Sequence, residues 1–128
     1  MTRTNMRYAQ LTECMLESLP WIAQEPEYRA AVADWGQEVP GPHVVYGDVL
    51  VPVLVRLLAT APDDQRLRDA FRFVEEVVAD TSEGVAEVGV VSVLEGLHGF
   101  PEVRDAAKPL MGARSREFAA RLATDWGN

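Results

Sequence analysis

Val85-Ala86-Glu87-Val88-Gly89-Val90-Val91-Ser92-Val93-Leu94-Glu95-Gly96-Leu97 is the stretch that decides the fold. Its valines suit a strand by side-chain shape. A strand from Val85 to Leu94 would make the protein a small α+β domain. Length argues the other way. With Ser82 as N-cap and Gly99 as a stop, the segment is far longer than a usual strand of about 5–6 residues. Read as a helix, it is apolar almost all round, as a central buried helix should be. Gly89, Ser92 and Gly96 then share a narrow face on which small side chains let another helix approach closely.

The preceding segment, Gln65 to about Ala79, carries Leu67, Ala70, Phe71, Val74, Val77 and Val78 on one helical stripe. Asp63 or Asp64 caps it. Phe73 falls off the stripe and should meet a different neighbour. Further upstream, Asp48 is the expected N-cap of a helix reaching about Ala59, with Pro52 tolerated near its start. Gln37 to Gly47 reads as a semi-rigid loop around Pro40-Gly41-Pro42, with Val44 to Tyr46 extended. Asn5 is the expected cap of a first helix with the stripe Tyr8, Leu11, Met15 and Leu19, ended by Pro20. Pro26 opens a second helix with Tyr28, Ala31, Val32 and Trp35 on one face, and Gly36 stops it. Beyond the decisive stretch, Pro101 starts a short helix. A last one runs to about Trp126, with Phe118, Leu122 and Trp126 on its stripe.

The expected fold is therefore a single all-α domain over residues 1–128, a bundle of six or seven helices. A faint repeat supports helical hairpins of HEAT-like kind. Leu58 to Pro62 resembles Leu97 to Pro101 at an offset of 39, and Arg68-Asp69-Ala70 resembles Arg104-Asp105-Ala106 at an offset of 36.

Composition narrows the function. The chain is 48% hydrophobic and 25% charged, which suits an ordinary globular domain rather than a disordered one. Twelve Lys and Arg against twenty Asp and Glu give a net charge of −8. That balance argues against nucleic-acid binding by phosphate neutralisation and suits a basic protein partner. Met1 to Asn5 is polar with no apolar signal-type segment after it, and the apolar run Val49 to Val55 is too short for a membrane span. A cytoplasmic protein without membrane contact is expected. Cys14 alone can form no internal disulfide, and as an inward-facing thiol it is expected to be inert.

No sequence motif names a chemistry. His43 and His98 stand apart, no C-x-x-C or H-E-x-x-H occurs, and no glycine-rich phosphate loop is present, so neither metal nor cofactor is expected. Glu75 and Glu95 are the acids of most interest. Glu95 lies on an otherwise apolar helix and should be buried, held by Arg56, Tyr46 or a backbone N–H. The two acids are read as buried structural groups. The alternative is a small enzyme or small-molecule-binding protein that uses them as a general acid/base pair. Candidate partner-binding residues are Glu38, Asp63 and Asp64 for charge, and Trp21, His43 and Tyr46 at a joint and a loop. Glu25, Glu27, Glu76, Glu83 and Glu102 are also expected to be exposed.

Tyr46-Gly47-Asp48, Phe71-Arg72-Phe73-Val74-Glu75, Ser92-Val93-Leu94-Glu95-Gly96-Leu97 and Met111-Gly112 follow in order. Together they resemble a family of small, all-helical, functionally unassigned bacterial proteins. That family is similar to the immunity proteins of polymorphic-toxin systems. The resemblance covers roughly residues 46–126 and implies a non-enzymatic protein, a monomer or homodimer, that neutralises a toxin by binding it. It supplies no catalytic residues, and the first forty residues lie outside it.

Overall fold

The computed structural model describes residues 6–125, and among them every regular element is helical. Seven helices form one domain. They are α1 (Leu11–Ser18), α2 (Pro26–Trp35), α3 (Pro42–Thr60), α4 (Gln65–Val78), α5 (residues 83–98), α6 (Pro101–Ala107) and α7 (Ala113–Asp125). Short 3₁₀ turns lie at Tyr8–Gln10, Pro20–Gln24 and Lys108–Leu110. Asn5 and Trp126, a proposed cap and a proposed stripe residue, lie outside the described residues.

The decisive stretch is helical and central. α5 packs against α3, α4, α6 and α7, with Val85, Val88, Val93, Leu94 and Leu97 buried. Its middle, Val88–Leu94, is a π-helical segment, wider per turn than an α-helix. That widening explains two departures from expectation. A wheel drawn at α-helical pitch loses register across it, so Val91 is exposed and Glu95 is only half-buried rather than enclosed. The small face works as expected but serves two neighbours. A Cβ on Gly89 would lie 2.6 Å from Val78 Cγ1 of α4, and one on Gly96 would lie 3.1 Å from Val51 Cγ2 of α3.

α3 begins at Pro42, six residues before the expected cap Asp48, and Val44 to Tyr46 are helical rather than extended. The cause is Pro52. A proline inside an α-helix removes one hydrogen bond and crowds the carbonyl four residues back. Here a π-helical turn, Tyr46–Leu50, stands just upstream of it. Such turns absorb an interruption without ending the helix. The irregular loop thus shrinks to residues 37–41. By length and composition the resulting 19-residue helix is apolar enough to cross a membrane, yet half of it is buried inside the bundle. Val45, Val49, Leu50, Val53, Leu54 and Leu57 all face the core.

Asp64 caps α4, its Oδ1 accepting from the Arg66 N–H at 2.8 Å. The α4 stripe is buried throughout, and Phe73 is buried too, its ring 6.3 Å from that of Tyr46. α7 is capped from another helix. Glu75 on α4 accepts from the backbone N–H groups of Arg114 and Ser115 and from the Ser115 hydroxyl, at 2.9–3.0 Å. Glu75 is thus half-buried and structural.

In the N-terminal part, Leu11, Cys14, Met15 and Leu19 enter the core, while Tyr8, in its 3₁₀ turn, stays exposed. Pro26 opens α2 at its first position. Gly36 closes it at φ 65°, a conformation glycine adopts freely, its N–H donating to Val32 O. No residue of α2 is fully buried. Its apolar stripe is only half-covered by the rest of the molecule.

Candidate partner-binding face

Two features surround α2, a charged corner at its start and an apolar groove along its side. At the corner, Arg56 of α3 bonds to Glu25 Oε1 through Nη2 at 2.5 Å and to Glu27 Oε2 through Nε at 2.6 Å. Arg66 of α4 reaches Glu25 Oε2 at 3.3 Å and Asp64 Oδ2 at 3.0 Å, and its guanidinium lies 5.6 Å from the Trp21 ring centroid. Glu25, at 9% exposure, is the buried acid among the described residues, in place of Glu95. It and Glu27 are engaged rather than free. Hydrogen bonds from Arg56 hold the Glu27 carboxyl below its ordinary range, and Arg66 does the same for Asp64. Arg56 is held protonated by Glu27 first and Glu25 second. The chemistry here is that of a clamp, tying the start of α2 to α3 and α4.

The groove lies between α1 and α2, with a volume of about 590 Å³. Leu16 of α1 and Tyr28, Val32 and Trp35 of α2 line it, with Val39 and Pro40 closing one end. Val32 is 38% exposed and Val39 63%. Glu13 is the acidic residue of its lining, and the exposed Glu38 precedes Val39. The apolar surface continues past the end of the groove. A Cβ on Gly41 would meet the Tyr8 hydroxyl at 3.8 Å, and the Tyr8 ring lies 6.2 Å from that of His43. Tyr8 and Val44 are both exposed.

His43 is half-buried, its Nδ1 2.7 Å from Ser92 Oγ of α5. A serine beside a histidine is the start of a nucleophile–base pair, but catalysis also needs an orienting acid and oxyanion donors. Ser92 sits inside a π-helical segment whose own turns engage the neighbouring backbone. The pair ties α3 to α5.

The sequence candidates therefore separate. Tyr46 is removed from any surface, being fully buried, with its hydroxyl donating to Leu11 O at 2.7 Å. The segment that carries it is helix rather than loop. Trp21 and Asp64 belong to the corner, and Asp63 beside them is exposed. Glu38 lies beyond the far end of the ten-residue α2, next to the groove residue Val39, about 15 Å away at 1.5 Å per residue. The acids do not form one patch. Glu75 lines a separate groove beside Arg72 and Leu110, one that does not include Glu95. Among the described residues no three of His, Cys, Asp or Glu are grouped to hold a metal. Val32, Val39 and Tyr8 are the surface residues that sequence reasoning missed. The available signal was α2's narrow stripe, too short of large aliphatic side chains to mark a buried helix.

Fold and face together define a small, single-domain, all-helical protein with an apolar groove on an acidic chain. The chain belongs to the family described as a domain of unknown function, DUF7674, whose model matches residues 12–127. The match takes in α1 and α2, so the groove is part of the family domain rather than an appendage to it. No curated protein and no solved structure matches the chain.

Proposed function

We propose that this protein works in the cytoplasm by binding another protein, in the manner of the immunity proteins that neutralise bacterial toxins. One observation carries the reading: α2 leaves its apolar stripe half-covered beside an open groove, on a chain of net charge −8. Exposed apolar surface rimmed by polar groups is the usual mark of an interaction site. The acidic balance favours a cationic partner by steering the encounter and disfavouring self-association. Toxins that act on nucleic acid have basic clefts of this kind. The commitment of Glu75 to the α7 cap favours binding over acid/base chemistry with Glu95.

Co-expression tests the reading. A toxin-type product of an adjacent gene should lose its effect on growth when this protein is present, and the two should co-elute as a complex. Growth arrest that persists despite folded, abundant protein contradicts it.

A further inference from the structure

We infer that the α1–α2 groove docks an amphipathic helix whose apolar stripe is flanked by Lys or Arg, an inference that rests on the binding reading above and names its site and ligand. Two walls of the groove are helices, and the loop carrying Val39, Pro40 and Gly41 closes one end. Among the described residues no sheet edge borders it, so recognition by side chains is favoured over strand addition. Half-covered apolar groups — Leu16, Tyr28, Val32, Trp35 and Val39 — run along the groove and can take anchors spaced at i, i+3, i+4 and i+7.

Charge selects the flanks of the ligand. Glu13 lies in the lining, and the exposed Glu38 precedes the lining residue Val39. Arg29, the basic residue of α2, is turned toward Gln24 at the opposite end of the helix. A second copy of the chain would bring the same acids and another −8 of charge against this rim, which disfavours self-pairing. A Lys- or Arg-flanked helix meets it with complementary charge.

The test is methyl NMR of the full chain titrated with two synthetic amphipathic helices that share one Leu/Phe stripe, flanked by Lys in one and by Glu in the other. The Lys peptide should shift the Val32 and Val39 methyls and bind at least about tenfold more tightly at low salt, with the gap closing as salt screens the rim. Val32→Asp with Val39→Asp should abolish those shifts while melting stays unchanged, since both side chains are exposed. Equal binding of the two peptides, shifts elsewhere or no binding overturns the inference. So do groove shifts produced by raising protein concentration alone, which would mark a second copy as the occupant. A toxin that binds clear of Val32 and Val39 overturns the groove assignment but leaves the binding reading intact. Peptide binding as expected, without toxin neutralisation, supports the groove and overturns only the immunity reading.

Discussion

Gly89→Ala tests the central helix crossing with a single carbon atom. The added Cβ would lie 2.6 Å from Val78 Cγ1, 3.1 Å from Val77 Cγ1 and 3.3 Å from the Val78 backbone nitrogen. Carbon pairs settle at about 3.5–4.0 Å, so α4 and α5 must part by up to about 1 Å. The two valine side chains are β-branched with little rotamer freedom in a helix, and the backbone nitrogen must give by a few tenths of an ångström whatever they do. Overpacking of that kind costs about 1–3 kcal/mol, and alanine recovers up to about 1 kcal/mol of helix propensity. A 2.6 Å contact belongs in the upper part of that range, about 2–3 kcal/mol, so the expected net loss is about 1–2 kcal/mol, or several degrees of melting temperature for a domain of this size. Gly89→Leu should lose about 3 kcal/mol or more. Gly47→Ala is the control, because a Cβ there meets nothing within 4 Å and should hold or raise stability. Thermal and urea unfolding followed by circular dichroism measure all three. A Gly89→Ala protein as stable as wild type would refute the close α4–α5 contact.

Glu75→Ala should lower stability by about 1–3 kcal/mol in urea unfolding, because it leaves two backbone donors and the buried Ser115 hydroxyl without their acceptor. Arg56→Met should cost about 1–2 kcal/mol in the same measurement. The loss is moderate because Glu25 keeps Arg66 and the guanidinium is partly exposed. Acid should act through the same corner. The Glu27 carboxyl sits below its ordinary value of 4.5 in the folded protein, so its contribution is present above that pH and is lost as pH falls through the lowered value. Melting scanned downward from pH 5 should show that loss, and a smaller one in Arg56→Met.

How far the sequence could be read depended on helical pitch. α4 was legible in full, since its stripe keeps one α-helical period from Leu67 to Val78 and Asp64 supplies a local cap. α2 was equally legible because Pro26 and Gly36 punctuate it. The start of α3 was not, because Asp48 offers a cap four residues before Pro52, where a proline is tolerated only in a first turn, and nothing in the sequence announces the π-helical turn that accommodates it. The same feature in α5 misplaced Glu95. Glu95 reads as the buried acid, held by Arg56, Tyr46 or a backbone N–H, and Glu25 as exposed; in the structure Glu25 is the buried one and pairs with Arg56. Its burial comes from the Pro20–Gln24 turn folding it beneath α3 and α4, and no helical wheel contains that tertiary step. Part of the candidate face was visible as acids and loop residues. The groove itself was not, because it depends on how loosely α2 lies against α1.

The most direct measurement is the affinity of a toxin-type partner for wild-type protein and for the Val32→Asp, Val39→Asp double variant, by titration calorimetry at low and moderate salt. The account predicts a tight wild-type complex weakened by salt, and a loss of at least about tenfold in the variant at unchanged melting temperature. A partner that binds both proteins equally, with no response to salt, would contradict it.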